Sequence, residues 1–136
     1  MFNYGKGLNK SWIAGTWKVL LLKGTWTPDI DVNFVSGLVP ATFESTGVGY
    51  VRKTLTTQTA VVDLVNDRFD HNADNLTWST LTCTDFRYAV VYLFGTVDGD
   101  SILHSYYDFG AQSVTALDFI IKWNGAATNG SVFRGT

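Results

Sequence analysis

The alternation of apolar and polar positions divides the chain into short extended segments separated by turn residues. Thr16 to Lys23 is an almost continuous apolar run of strand length, which predicts a first core strand covered on both faces. Thr59 to Leu64 and Arg68 to His71 flank Val65-Asn66-Asp67, good turn chemistry that predicts an antiparallel hairpin. After a corner at Asn72 to Asn75, Leu76 to Leu81 alternates and turns Trp78 toward the core. Asp85 to Phe94 is the strongest strand signal in the chain. Ile102 to Gly110 and Leu117 to Trp123 repeat the theme, each ending at Gly or Asn-Gly, so the second half reads as an antiparallel meander. The predicted class is all-β, an antiparallel, jelly-roll-like β-sandwich.

Three stretches depart from this pattern. Phe2, Leu8, Trp12 and Ile13 fall on one face of a short helix within residues 1–15, although Gly5 and Gly7 each cost about 1 kcal/mol there relative to Ala. Residues 24–49 hold Pro28, Pro40 and several turn formers, and predict a long loop with one helical turn around Ile30 to Val35. This loop carries Trp26, Ile30, Phe34, Val35, Leu38, Val39 and Phe43, too many apolar groups for idle exposure, so it covers the sheet or reaches a neighbour. Residues 126–136 are small and polar except for Val132 and Phe133, and read as an arm that orders on a partner.

Composition narrows the function. The 136 residues make one domain, and 16% of them are charged against roughly 25% in a typical soluble protein. So few charges suit a subunit with much of its surface against neighbours. Net charge is -2 and the basic residues are scattered apart from Arg52-Lys53, so no nucleic-acid footprint exists. Apolar runs stay far below the roughly 20 residues that cross a bilayer. The first twelve residues lack the features of a signal peptide, which leads to the expectation of a cytoplasmic origin.

No catalytic constellation stands out, and the expectation is a non-enzymatic protein without cofactor or metal. Cys83 is the single cysteine and reads as a small buried hydrophobe, while His71 and His104 lie on different predicted strands without a nucleophile signature. Gly47-Val48-Gly49 is a turn rather than a phosphate cradle, because no helix pattern follows it. Three readings compete for Asp29, Asp31, Asp63, Asp67, Asp70, Asp74, Asp98 and Asp100: turn chemistry, a bound cation, and a glycosidase carboxylate pair beside Trp26 and Trp78. Arg87 is placed to pair with Asp85 or Asp108 across the sheet.

The order of Trp17 to Leu22, Thr27-Pro28-Asp29-Ile30-Asp31, Gly47-Val48-Gly49-Tyr50, Ala73 to Trp78, Arg87 to Tyr92, Tyr107-Asp108-Phe109-Gly110 and Phe119 to Trp123 resembles small virion structural proteins of tailed bacteriophages. The resemblance implies a capsid decoration, or cement, protein on the outer surface of the virion, assembled in the host cytoplasm. Its implied partners are the major capsid protein and further copies of itself, a trimer by the symmetry of an icosahedral shell. Candidate contacts are Phe2, Tyr4, Leu8 and Trp12 in the N-terminal segment and Phe133 near the end. The apolar residues of the 24–49 loop, Trp26, Ile30, Phe34, Val35, Leu38, Val39 and Phe43, complete the set. The other reading is a tail-associated carbohydrate- or receptor-binding module that stacks sugars on Trp26, Trp78 or Tyr106-Tyr107.

Overall fold

The computed structural model describes residues 11–125 and 128–135. Its strands are β1 (Trp17–Leu22), β2 (Lys53–Thr54), β3 (Thr59–Asp63), β4 (Arg68–Asp74), β5 (Leu76–Leu93), β6 (Ile102–Ile121) and β7 (Asn129–Gly135). They form two antiparallel sheets of order β2-β1-β5-β6 and β3-β4-β7, so the all-β class is as the sequence predicts. Among the described residues, helix is confined to single turns at 11–14, Val35–Leu38, Pro40–Phe43 and Trp123–Gly125. None is long and apolar enough to cross a membrane.

Expected as one domain, the chain divides into two compact units. The larger comprises Trp17–Thr54 and Thr77–Phe119; the smaller gathers Leu55–Leu76 with the segments that end at Thr16 and start at Ile120.

In the larger unit, β1 lies between β2 and β5 and is buried at every position except Lys18, as its unbroken apolar run requires. Leu20 and Leu22 pack with Tyr88, Val90 and Tyr92 of β5 and with Trp26, Val35 and Leu38 from the loop. Trp17, Val19 and Leu21, on the opposite face by the period of two, are also buried.

Two predicted breaks are absent. The segments 76–81 and 85–94 fall in one strand of 18 residues that ends at Leu93, and 102–110 and 117–123 merge into one of 20 that ends at Ile121, two residues before the helical turn at Trp123. The breaker signals are absorbed as irregularities. Thr80, Gly110 and Ala116 have φ of 52°, 76° and 51°, the left-handed values of bulged positions, and the ladder resumes beyond each. Thr80 N–H donates to Asp118 and Ala116 N–H to the Thr82 hydroxyl, so side chains satisfy the amides that the bulges release.

In the smaller unit the predicted hairpin is present, with β3 and β4 antiparallel from Thr59↔Asn72 to Asp63↔Arg68. The corner shrinks to Asn75 because β4 continues through Asp74. The expected C-terminal arm is corrected outright: β7 pairs with β4, Val132 is buried, and Asn129 Nδ2 donates to the Thr57 carbonyl and the Asp74 carboxylate. An aromatic cluster fills the other side. Trp12 stacks on His71 at 5.0 Å and 9°, and Phe69 and Phe133 tilt around the same imidazole. Of the predicted N-terminal helix, the described part is the turn 11–14, closed by Gly15 N–H on the Ser11 carbonyl at 2.7 Å.

Candidate interaction surface

The loop of the larger unit is fixed at both ends by backbone bonds. Lys23 N–H donates to the Phe43 carbonyl and Ser45 N–H to Leu21, while Val35 and Ser36 N–H donate to Ser101 and Asp98. Leu103 N–H returns a bond to Asn33. The helical turn expected at 30–35 falls later, because Asp29 accepts the Asp31 N–H in an Asx turn and Pro40 opens a helical turn at its first position. These anchors point Val35 and Leu38 inward and leave Ile30, Phe34 and Val39 exposed, Ile30 at 91%.

Arg52 holds this arrangement. Its guanidinium donates to both Glu44 oxygens at 2.8 and 2.7 Å and to both Asp98 oxygens at 2.6 and 3.0 Å. The end of the loop is thereby tied to the β5–β6 connection. Tyr50 extends the network, its hydroxyl donating to Glu44 at 2.8 Å and accepting from Leu21 N–H at 3.0 Å. The paired guanidinium holds the Asp98 carboxyl below the usual carboxylate range, and burial, with Glu44 beside it, pushes the Tyr50 phenol up. A depression of about 400 Å³ lies alongside, lined by Pro40, Ala41, Glu44, Ser45, Thr46, Gly47 and Tyr50. Its acid and phenol are engaged with Arg52 and a backbone amide, so the network is structural.

In the smaller unit the β3–β4 turn presents apolar side chains outward. Leu64 and Val65 are 88% and 92% exposed, and Val61 and Val62, on opposite faces of β3, are 48% and 58% exposed. The turn is nonetheless well built. Asp63 accepts from Val65 N–H and Asn66 N–H at 3.1 Å and from Asn66 Nδ2 at 2.7 Å, and it meets Arg68 at 3.2 Å. These donors, the Asn66 amide foremost, hold its carboxyl below the usual range. The result is an apolar knob on a fixed turn, the form of an interface anchor.

The predicted contact residues therefore separate. Ile30, Phe34 and Val39 face outward, and Phe43 and Phe133 are half-buried. Trp12, Trp26, Val35 and Leu38 are corrected: they are at most 7% exposed and belong to the core, because the loop folds back on β1 and β5 and Trp12 stacks on His71. Phe2, Tyr4 and Leu8 lie outside the described residues. Sequence reasoning missed Val61, Val62, Leu64 and Val65. The available signal was an apolar Leu-Val pair at a hairpin tip, where turn chemistry calls for polar groups.

The carboxylates do turn and pairing work. Asp100 accepts from the Thr96 and Val97 amides, Asp74 from Thr57 and Asn129, and Asp108 accepts both Arg87 Nε and Nη2 and the Gly110 N–H. That set of donors, Arg87 first, draws Asp108 down to about 2. Among the described residues no three His, Cys, Asp or Glu side chains converge as metal ligands would. Cys83 is buried, and Trp78 is buried with its indole N–H on the Val51 carbonyl.

No protein-family model, curated protein or solved structure matches this chain.

Proposed function

We propose that this chain is a non-enzymatic virion structural protein, a decoration or cement subunit of a tailed-phage capsid. The virion class rests on the sequence resemblance. The observation that supports an adhesive role is the apolar knob of Leu64 and Val65, held out by a turn that Asp63 fixes from within. A cement subunit has no substrate to transform; it covers junctions between capsomers, and its affinity comes from modest contacts repeated over a lattice. Rigid, outward apolar anchors suit that task, because little side-chain or loop entropy is lost when they dock. The exposed Ile30, Phe34 and Val39 of the larger unit supply a second such patch. Partners in this reading are the major capsid protein and further copies of the chain, on the outer surface of a particle assembled in the host cytoplasm.

The tail-associated sugar-binding reading loses two of its platforms, since Trp26 and Trp78 are 7% and 0% exposed. Tyr106, at 46%, remains outward. The test is the position and copy number of the chain in purified particles, measured by quantitative mass spectrometry and cryo-electron microscopy. Hundreds of copies on the head shell are expected. A few copies at the tail, or none in the particle, overturn the proposal.

A further inference from the structure

Among the described residues, strand β3 is an edge of its sheet and pairs with β4 on one side only. Natural edges are usually guarded by Lys, Pro, a bulge or a covering segment. Thr59-Ala60-Val61-Val62-Asp63 contains neither Lys nor Pro, and its register with β4 is unbroken over all five residues. Moreover, Val61 and Val62 are 48% and 58% exposed on opposite faces, so among the described residues nothing covers the outer edge or either side chain. We propose that β3 pairs antiparallel with β3 of a second copy of this chain, about a two-fold axis at Val61.

The sequence of the strand argues for its own copy as occupant. In an antiparallel ladder hydrogen-bonded and non-hydrogen-bonded pairs alternate, so a two-fold axis normal to the sheet must pass through a directly opposed pair. The axis is therefore centred on one residue facing itself. Only Val61 as centre brings all five residues of β3 into register. Val61 then faces Val61, Ala60 faces Val62, and Thr59 faces Asp63 of the other copy. Each pairing is favourable: two β-branched side chains meet at the centre, a small residue accommodates Val62, and a hydroxyl donor stands opposite the strand's single charge. No like charges oppose each other, since the two Asp63 side chains lie at opposite ends. The interface is isologous, so it closes at two copies and leaves no free edge for fibre growth. It is distinct from the three-fold ring expected from capsid symmetry, and it stands on β3 whether or not the chain is a decoration subunit. Five residues on each side place it among the smaller protein interfaces, so the pair should dissociate on dilution.

The test is sedimentation velocity of the full chain over a wide concentration range, with substitutions in β3. Twice the protomer mass is expected at high concentration. Val61→Lys should reduce association at least tenfold by setting two ammonium groups against each other, with far-ultraviolet circular dichroism unchanged; Leu117→Lys, at an exposed position outside β3, should leave it intact. A fold-independent check is Val61→Cys. Directly opposed residues in such a ladder have Cα atoms about 4.5–5.5 Å apart, within the span of a disulfide. Mild oxidation should therefore link two copies through position 61, whereas Val62→Cys, facing Ala60, should link far more slowly. Cys83 is buried and serves as an internal background. A chain that is monomeric at every concentration, a three-copy mass insensitive to Val61→Lys, equal cross-linking at 61 and 62, or capture by capsid protein alone would each overturn the proposal.

Discussion

Replacing Arg52 by Ala tests whether the loop of the larger unit is held by charge. The guanidinium spans four carboxylate oxygens within 3.0 Å, and its side chain and those of Glu44 and Asp98 are 24%, 16% and 35% exposed. Removing one partner of a fully buried pair costs about 3–5 kcal/mol, because the remaining charge is stranded, whereas exposed pairs contribute about 0–1 kcal/mol. Partial exposure puts Arg52→Ala between these limits, at about 2–3 kcal/mol. With a urea m-value of roughly 1–3 kcal/mol/M, the midpoint should fall by roughly 1–2 M. Arg52→Lys should recover only part of this, since a single ammonium cannot engage both carboxylates two by two. The loss must also depend on pH. Arg52 holds the folded pKa of Asp98 below its unfolded value, so the stabilisation is complete above about pH 4 and disappears as pH falls through the folded value. Wild type and variant should differ fully at pH 7 and converge below about pH 4. Urea titrations followed by tryptophan emission measure both quantities. A midpoint shift within error, or a deficit that stays constant from pH 7 to pH 3, would refute the ion-pair argument.

Other substitutions probe the remaining features. Burial lowers the folded pKa of His71, an effect that outweighs the opposing charge of Asp70, so its contribution is complete above about pH 6.5 and is lost as pH falls; His71→Phe should remove that part of the acid dependence, seen as matched urea midpoints at pH 7 and 5.5. A Cβ at Gly47 would collide with the Thr82 carbonyl oxygen of β5, so Gly47→Ala should cost about 2 kcal/mol or more, whereas Gly99→Ala, with open space around it, should stay within about 0.5 kcal/mol by thermal denaturation. Truncation after residue 128 removes β7 and leaves β4 without one ladder partner; amide exchange in β4 should accelerate to the rate of a frayed edge, and unchanged protection would restore the view of this segment as a dispensable arm.

Local pattern was informative where one residue run decides its own environment. The apolar run of β1 specified a strand buried on both faces, and Asn66-Asp67 between two alternating segments specified the β3–β4 hairpin. It failed where distant partners decide. Thr80, Gly110 and Ala116 look or act like breaks, yet β5 and β6 pass through them because side chains receive the displaced amides, from the neighbouring strand at Thr80 and Ala116 and from Asp108 of the same strand at Gly110. The polar β7 carries little strand propensity and gains its structure from a ladder with β4, 55 residues earlier at the Asp74 to Asn129 contact. The loop showed the same limit: Val35 and Ile30 are equally apolar, but the bond from Val35 N–H to Ser101 turns one inward and leaves the other in solvent.

The sparse charge of the chain acquires a structural meaning once the pairs are mapped. All four arginines, Arg52, Arg68, Arg87 and Arg134, are committed to acidic residues of the same chain. Asp63, Asp74 and Asp100 are spent likewise on amides and hydroxyls of their own turns. These charges build loops and corners, and with a net charge of -2 for the whole chain electrostatic steering has little to act on. In the proposed adhesive role, recognition would rest on apolar anchors and open backbone, which are short-ranged and not weakened by charge screening. The β3–β4 hairpin offers both at once, with the knob of Leu64 and Val65 at its tip and the edge of β3, unpaired among the described residues, along its side, and Asp63 fixes the turn that joins them.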